Sequence, residues 1–288
     1  MKPEAACTII IVAYHSAGLL PDCLAAIPPG CPVIVVDNAS PDDSAEVALA
    51  ARPDIHLIRA PRNLGFGRGA NLGFAAATTE FALLLNADAT LEPATVAGLI
   101  AAAARYPEAV LLAPEIIADD GRMQFGHDLP HRRLNGRVVE PVGDACCWYV
   151  GGSAMFVRLA PVRSVGGFDP DIFLYYEDDD LCLRLRAAGH ALIHVAGVRV
   201  RHEGGASSAP SPRLDHWKAF HQGWSRLHLE ARHRGRGAAL FLALREWPGL
   251  ALKATFRRGD ARQVKWAGRA AGMRAWMAGV RATEVGLG

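Results

Sequence analysis

Long apolar segments are missing from this chain. No run reaches the roughly 18 uninterrupted apolar residues that a transmembrane helix requires. The N-terminus leads directly into the apolar run Thr8–Ala13, which is shorter than the hydrophobic region of a secretory signal peptide. We therefore expect a cytoplasmic protein that does not cross the membrane.

Cysteine pairs with metal-binding spacing are also missing. The chain has six cysteines but no CxxC pair and no spacing typical of zinc. They are Cys7, Cys23, Cys31, Cys146, Cys147 and Cys182. In a protein without a signal peptide, such cysteines are expected to be reduced thiols.

A large net charge is absent, since 31 basic and 29 acidic residues leave a formal charge of +2. The distribution is uneven, however. Residues 213–288 hold 15 basic and 5 acidic residues, a balance of +10, and the first 212 hold 16 and 24, a balance of −8. An acidic front and a basic tail predict different partners for the two parts.

Apolar runs alternate with helical patterns over the first hundred residues. The predicted strands are Cys7–Ala13, Pro32–Val36, Ile55–Arg59, Phe81–Leu85 and Ala109–Ala113. The predicted helices are Ala17–Ala26, Ser44–Ala51, Gly69–Thr78 and Pro93–Tyr106. This alternation predicts an α/β fold with a parallel, doubly wound sheet and right-handed crossovers.

The alternation ends after Pro114. Residues 119–143 predict an extended loop or hairpin, and residues 204–212 have the composition of a linker. Between them we predict a strand at Ala154–Val157, a helix at Asp180–Ala188 capped by Asp180, and short strands at Ala191–Val195 and Val198–Arg201. The predicted organisation is an α/β domain over residues 1–212, with halves 1–114 and 115–212, followed by a basic helical region over residues 213–288.

Asp88 comes directly after the buried strand predicted at Phe81–Leu85. Open α/β sheets bind ligands beyond the carboxyl ends of their strands. A carboxylate there can bind Mg²⁺ or Mn²⁺, and such an ion can bridge a diphosphate. The alternative is that Asp88 caps the next helix.

Two further segments suit a nucleoside diphosphate. Asp37 ends a buried strand, where it can accept a hydrogen bond from a base or a ribose, or form an Asx turn with the residues that follow. Residues 63–71 are a glycine-rich turn that leads into a helix, which favours anion binding. Arg68 and Asn71 add donors there, although Arg68 is equally expected as a surface charge.

Four consecutive acids, residues 177–180, lie between aromatic and apolar residues. Like charges this close raise at least one pKa, as a general base requires. We predict that Glu177 or Asp178 is functional.

His202 follows a predicted strand. Its ring nitrogen can complete the shell of an ion held by Asp88, while a structural or surface histidine is the alternative. Trp148 and Tyr149 precede a flexible Gly151-Gly152 turn. This aromatic pair suits stacking on a sugar ring, and core packing is equally expected.

Together these segments resemble the inverting family 2 glycosyltransferases of GT-A fold, in particular their bacterial rhamnosyltransferase-like branch. The resemblance covers about residues 7–208. The matching segments are residues 8–16 (TIIIVAYHS), 35–40 (VVDNAS), 63–73 (NLGFGRGANLG), 84–88 (LLNAD), 166–186 (GGFDPDIFLYYEDDDLCLRLR) and 200–207 (VRHEGGAS). The resemblance implies a Rossmann-like, mostly parallel sheet with a C-terminal helical tail.

The resemblance also implies roles for individual residues. Asp178 would be the base that deprotonates an acceptor hydroxyl, and Glu177 would orient the acceptor. Asp88 and His202 would hold Mn²⁺ or Mg²⁺, although Asn86 stands where the family's DXD motif has its first acid. The residues implied in nucleotide binding are Tyr14, Asp37, Asn63, Arg68, Asn71 and Asn86, and those implied in acceptor binding are Trp148 and Asp169.

The implied reaction moves a sugar from a nucleotide-sugar donor to a glycan or glycolipid acceptor, with no nucleic-acid partner. L-rhamnose from dTDP-L-rhamnose is the first choice, and galactofuranose or another hexose is the alternative within the family. A nucleotide-sugar pyrophosphorylase would instead need a glycine-rich loop at residues 14–17, which read YHSA. A non-catalytic glycan-binding homologue is disfavoured because Asp88, Glu177, Asp178 and His202 are all present.

Within the basic tail, residues 238–258 (AALFLALREWPGLALKATFRR) combine an apolar face, Trp247 and flanking arginines. Such a segment can lie in a membrane interface. We expect peripheral contact with the inner face of the plasma membrane. The alternatives are a helix packed on the α/β domain or a homodimer contact.

Overall fold

The computed structural model of the chain describes residues 3–118, 120–124, 142–202, 211–257, 260 and 262–284. Within them, ten strands form a single mixed sheet. The strands are β1 (Cys7–Ala13), β2 (Val33–Asp37), β3 (His56–Arg59), β4 (Phe81–Asn86), β5 (Ala89–Leu91), β6 (Ala109–Ile117), β7 (Met123–Gln124), β8 (Ala145–Cys146), β9 (Ala154–Arg158) and β10 (Ala191–His202).

The helices of the described residues alternate with the strands at first and are consecutive at the end. They are α1 (Leu20–Ala25), α2 (Ser44–Ala51), α3 (Phe66–Ala76), α4 (Thr95–Arg105), α5 (Leu159–Ser164), α6 (Glu177–Ala187), α7 (Pro212–Arg234), α8 (Arg236–Phe256) and α9 (Gln263–Met277). Short 3₁₀ turns lie at Pro3–Ala6 and Ala282–Glu284.

The strand order across the sheet is β3-β2-β1-β4-β9-β6-β10-β5, with β7 beside β6 and β8 beside β10. The first four strands of this order are parallel to one another, and so are β6 and β10. Strand β9 is antiparallel to both β4 and β6 and joins the two parallel groups. The predicted α/β fold is confirmed.

Unbroken apolar runs place β1, β2 and β4 in the interior, because both faces of a parallel sheet are covered. In the register of these strands, Ala13 lies beside Asp37 and Val12 lies beside Asn86. The carboxyl ends of the three strands therefore meet at one edge, where the predicted nucleotide-binding residues begin.

Helix α3 packs closely on β1 because it presents glycines to that strand. A Cβ at Gly73 would overlap the side chain of Ile10, and one at Gly69 would crowd Val12. The helix begins at Phe66 rather than at the predicted Gly69. The glycine-rich segment is thus required for packing, whatever it binds.

Strand β10 was predicted as two short strands, and the structure differs. It is one strand from Ala191 to His202 with an irregular register between Val195 and Arg199, where Gly197 has a φ of +75°. Glycine tolerates this left-handed conformation, so pairing with β6 resumes after the irregularity. Strand β5 was not predicted at all, because three residues carry too little pattern.

Two predicted connections lie largely outside the described residues. Of the loop predicted at residues 119–143, the described part contains β7 and the start of the segment that leads to β8. Of the linker predicted at residues 204–212, only residues 211 and 212 are described, and there Ser211 caps α7 by accepting a hydrogen bond from the N–H of Leu214.

The described chain forms two compact units. The described residues within 3–63, 69–168 and 181–202 form the sheet unit, and those within 64–68, 169–180 and 211–284 form the helical unit. The boundary predicted at residue 212 thus differs from this grouping, in which two short segments join the C-terminal helices.

Helices α7 and α9 of the helical unit approach each other backbone to backbone. A Cβ at Gly272 would overlap the carbonyl of Phe220, and a Cβ at Gly223 would overlap that of Arg269. Apolar side chains of α7, α8 and α9 then form a core around Leu227, Ala243 and Met273. No helix in the described part of the chain has the length and apolar character needed to cross a membrane.

Candidate active site

Asp88 and His202 form the centre of the site in the sheet unit. Asp88 Oδ1 lies 3.2 Å from His202 Nε2, and their side chains are 8% and 11% exposed. The side-chain amide nitrogen of Asn86 lies 3.3 Å from the same His202 nitrogen. Three predicted site residues from distant parts of the chain therefore converge.

Strand pairing produces this convergence. Asp88 lies in the turn between β4 and β5, and β5 pairs antiparallel with β10 so that Ala89 is opposite His202. The alternative that Asp88 caps the next helix is wrong, because α4 begins at Thr95 and its N-cap is Ala94.

The donor set suits a divalent cation. A carboxylate, an imidazole and an amide carbonyl are ligands that Mn²⁺ accepts, and the carboxylate also suits Mg²⁺. Asp88 Oδ1 and His202 Nε2 are close enough to bind one ion together. The residues present thus fit the metal that the sequence implies.

The end of β2 provides a second polar group. Asp37 is 6% exposed, and its Oδ1 accepts a hydrogen bond from the N–H of Ser40 at 3.1 Å. The Asx-type turn is therefore present. Beside it, the Asn38 amide donates to Asn63 Oδ1 at 3.0 Å, so Asn63 lies next to the residue that follows Asp37.

Strained backbone accompanies these polar groups. His15 and Ala39, just beyond β1 and β2, have φ values of +56° and +58°. Tyr175 and Tyr176, just before α6, have φ values of +66° and +68°. Left-handed backbone costs roughly 1–2 kcal/mol for such residues, and strain of this kind concentrates at functional sites.

The loop between β8 and β9 links an exposed aromatic ring to the Asn86–Asp88 turn. Trp148 is 46% exposed, and the guanidinium carbon of Arg186 lies 3.5 Å from its ring centroid. At the other end of the loop, the Ser153 carbonyl accepts a hydrogen bond from the N–H of Asn86 at 3.0 Å. Arg186 therefore lies over a ring that is still partly exposed.

Asn71 makes structural contacts. Its amide nitrogen donates to the carbonyl of Phe168 at 2.9 Å, and its oxygen accepts from the N–H of Phe168 at 2.8 Å. These two bonds fix the turn at Gly167 and Phe168 against α3. The predicted nucleotide contacts of Asn71, and those of the half-buried Tyr14 and Arg68, stay predictions.

In the helical unit, the acidic run forms the first turn of α6. The helix begins at Glu177, three residues before its predicted start, so Asp180 does not cap it. Acids in a first turn are favoured by the helix dipole. Asp178 is half-buried, and its Oδ1 accepts a hydrogen bond from the N–H of Asp179 at 3.0 Å.

Burial and like charges raise two pKa values in this turn. Burial, followed by the charge of Asp178, raises the pKa of Glu177 well above its ordinary value. Burial, followed by the charges of Asp178 and Asp180, raises the pKa of Asp179 to about 8. Glu177 Oε2 and Asp179 Oδ1 are buried without a hydrogen-bond partner in the described structure. The prediction that some pKa in the run is raised is confirmed.

The C-terminal half of α7 contacts two nearby acids, Asp169 before this turn and Asp180 within it. Asp169 Oδ2 lies 3.1 Å from His228 Nε2 and 2.9 Å from Arg232 Nη1. Asp180 Oδ1 lies 2.8 Å from His233 Nε2 and 3.2 Å from Arg232 Nε. Arg232 therefore bridges two carboxylates that are almost fully buried, and this bridging fixes the start of α6.

Asp169 has a structural role in this network. Burial alone would raise its pKa, but hydrogen bonds from His228 and the N–H of Asp171, with the charges of His228 and Arg232, lower the pKa to about 2. Asp169, Asp171 and His228 also bring possible ligand atoms within 4.8 Å of one another. Arg232 occupies the same Asp169 oxygen, which opposes a second cation there. The predicted acceptor contact of Asp169 stays a prediction.

Comparison with known proteins identifies the family. The family model for Glycosyl transferase family 2 matches residues 8–156, just over half of the chain. The chain belongs to this family. It is therefore a glycosyltransferase, and the pyrophosphorylase alternative is wrong.

Three similar proteins illustrate the relationship. The N-acetylglucosaminyl-diphospho-decaprenol L-rhamnosyltransferase of Mycobacterium tuberculosis is 28% identical over 81% of this chain and 87% of its own length. The pre-mycofactocin glycosyltransferase of the same species is 31% identical over 76% of this chain but only 47% of its own length. The mannosyltransferase PcManGT from Pyrobaculum calidifontis, solved in complex with GDP-Man and Mn²⁺, is 16% identical and superposes with a TM-score of 0.56 over 94% of this chain and 87% of its own. The predicted GT-A fold and the likeness to rhamnosyltransferases are confirmed.

Sequence reasoning missed the basic residues that contact predicted site residues. Arg186 was read as part of a matching segment, and His228, Arg232 and His233 as part of a basic tail. The spacing of His228 and Arg232 is a signal that was available, because residues four positions apart lie on one side of a helix. Nothing in the sequence connects them to Asp169 and Asp180, however.

Proposed function

We propose that this glycosyltransferase moves L-rhamnose from dTDP-L-rhamnose to a hydroxyl of a lipid-linked or cell-envelope glycan, with inversion at the anomeric carbon. The donor-binding part of this proposal is supported by the convergence of Asp88, His202 and Asn86 at the carboxyl ends of the strands. The sugar is proposed on the likeness to the mycobacterial L-rhamnosyltransferase. Galactofuranose or another hexose is the alternative within the family.

Departure of the nucleoside diphosphate builds negative charge on its phosphates. Asp88 and His202 would hold a divalent ion, Mn²⁺ or Mg²⁺, which offsets that charge when it is bound. Asp37 would accept hydrogen bonds from the base or the ribose, beside Asn63. Burial of Asp37 and Asp88 makes these contacts stronger than they would be in water.

The acceptor hydroxyl is neutral and needs a base. Asp178 would take its proton as the oxygen attacks the anomeric carbon. Glu177 would orient the acceptor, and its raised pKa suits a carboxylic acid that donates a hydrogen bond at neutral pH. Trp148 would stack on a sugar of the acceptor.

Nucleoside diphosphate release tests this proposal. The purified protein would be given Mn²⁺ or Mg²⁺, an acceptor glycolipid and a panel of dTDP-rhamnose, UDP-galactofuranose and GDP-mannose. We expect release with dTDP-rhamnose and its loss in the presence of a chelator. Turnover with another donor would mean that the enzyme transfers the sugar of that donor instead of L-rhamnose. If no donor of the panel bound, the proposal would be refuted.

Single substitutions test the two proposed roles separately. Asp178→Asn is expected to lower transfer by roughly 10²- to 10⁴-fold, the usual contribution of a general base, while donor binding stays normal. Asp88→Asn is expected to weaken metal-dependent donor binding by about 10- to 100-fold. The control is Asp54→Asn, an isosteric change at a side chain that is 75% exposed, and it should leave both properties intact.

A further inference from the structure

Helix α8 has two apolar faces, and only one of them is covered. Ala239, Ala243, Trp247 and Leu250 face α7 and α9, and the indole N–H of Trp247 donates to the carbonyl of Ala270 at 3.1 Å. The ring of Trp247 therefore belongs to the core of the helical unit.

The opposite face of α8 exposes a continuous apolar stripe. Phe241, Leu244, Leu252 and Phe256 are 69%, 74%, 59% and 75% exposed, and Pro248 lies exposed between them. Their spacings of three and four residues place all five on one side of the helix. Large apolar side chains in a row are rare on the surface of a soluble monomer, and such a patch indicates an interaction surface.

The charges of α8 indicate which kind of partner binds its exposed apolar face. Residues 236–257 contain four basic residues and a single acid. Arg236, Arg245, Lys253 and Arg257 are exposed. The acid, Glu246, is held by both terminal nitrogens of Arg226, at 2.9 and 3.0 Å. The exposed charges of α8 are thus basic, whereas its single acid, whose side chain is 21% exposed, is paired with Arg226 and lies 3.7 Å from Arg245.

We propose that α8 lies in the interface of an anionic lipid bilayer, with Phe241, Leu244, Pro248, Leu252 and Phe256 inserted among the acyl chains. The helix does not have the apolar character needed to span a membrane, and an apolar stripe bordered by basic residues is the pattern of a helix that lies in the interface plane. Anionic headgroups would neutralise the bordering arginines and lysine.

Self-association through the stripe is the less favourable arrangement. Two copies of this face would bring Arg245 and its basic neighbours of one copy against those of the other. Like charges brought together oppose association, whereas anionic lipids attract them. The proposal does not depend on the donor or the acceptor of the enzyme.

Vesicle sedimentation tests the proposal with the full chain. We expect the protein to bind vesicles of phosphatidylcholine mixed with phosphatidylglycerol, to bind phosphatidylcholine vesicles less well, and to be released by high salt. Phe241→Gln/Phe256→Gln should lower vesicle binding by about tenfold or more, because these rings supply much of the inserted apolar surface. Leu49→Gln, at an exposed leucine of α2, is the matched control and should bind like the parent.

Three results would overturn the proposal. The first is a parent protein that binds neither type of vesicle. The second is equal binding by the double variant and the parent. The third is a parent that is a dimer by light scattering and becomes a monomer in the double variant, because the stripe would then be a protein interface. Circular dichroism and donor binding in solution would show that the double variant is folded, and neither should change.

Discussion

Two buried acids, Asp169 before α6 and Asp179 in its first turn, should respond to an Asp→Asn substitution with opposite changes in stability. Asp169 is paired with His228 and Arg232, and its pKa is lowered from 3.8 to about 2. Asp179 is buried among other acids, and its pKa is raised from 3.8 to about 8. Asp169→Asn should therefore destabilise the protein at neutral pH, and Asp179→Asn should stabilise it.

The magnitude for Asp169 follows from its pKa. One unit corresponds to 1.36 kcal/mol, so the charged form contributes about 2 kcal/mol after an allowance for solvent screening. For a chain of this size, about 2 kcal/mol corresponds to a Tm lower by roughly 4–8 °C. The asparagine keeps the shape of the side chain and one acceptor oxygen, so the loss measures the charge.

The pH dependence gives a second check. A lowered pKa stabilises the protein above the unfolded value of 3.8, and this contribution is lost as the pH falls through 3.8 toward 2. The difference in Tm between Asp169→Asn and the parent should thus be constant at neutral pH and shrink below about pH 4. For Asp179 the cost of ionisation grows as the pH rises from 3.8 to about 8, so the benefit of its asparagine variant should grow over that range.

Thermal unfolding of both variants and the parent, followed by circular dichroism across this pH range, is the measurement. The matched pair controls for general effects of an Asp→Asn change. If Asp169→Asn were as stable as the parent at pH 7, or if both variants shifted the Tm in the same direction, the account of the ionic network would be refuted.

Three other substitutions probe separate parts of the molecule. Glu177→Gln should lower the rate of transfer yet raise the Tm at neutral pH, because burial and the charge of Asp178 raise the pKa of Glu177 and this costs stability above the ordinary pKa of a glutamate, a cost that glutamine does not have; a lower Tm would contradict this. Trp148→Ala should raise the KM for the acceptor by about tenfold, the effect of losing one stacked ring, with donor binding unchanged; an unchanged KM would argue against acceptor stacking. Gly272→Ala should cost about 1–3 kcal/mol of stability or more because its methyl group would overlap the Phe220 carbonyl, whereas Gly249→Ala, with open space around it, should be neutral or stabilising.

Much of the fold follows from local pattern. The strands β1, β2 and β4 were predicted to within one residue because unbroken apolar runs between polar turns have few alternative structures. Helix α2 was predicted with its exact bounds, since its pattern begins and ends at clear polar residues. Strand β5 and helix α5 were not predicted, and β10 was predicted as two strands, because short elements and a glycine irregularity depend on neighbours that are distant in sequence.

The candidate site residues also divide into those that local pattern predicts and those that it does not. Asp37, Asp88 and the acids at residues 177–180 could be proposed as site residues because each stands at the end of a strand or the start of a helix. The partners of those residues were not found. Arg232, which bridges Asp169 and Asp180, and Arg186, which lies over Trp148, are ordinary surface arginines as far as the sequence shows.

The sequence by itself determined which chemical groups this glycosyltransferase has at the ends of its strands, because hydrophobic periodicity and polar punctuation are local properties. Only the tertiary structure decided which groups meet. The antiparallel pairing of β5 with β10 brings His202 to Asp88 across more than a hundred residues, and packing of α8 on one side alone leaves its other apolar face exposed. Both results depend on long-range pairing and burial, which local pattern does not encode.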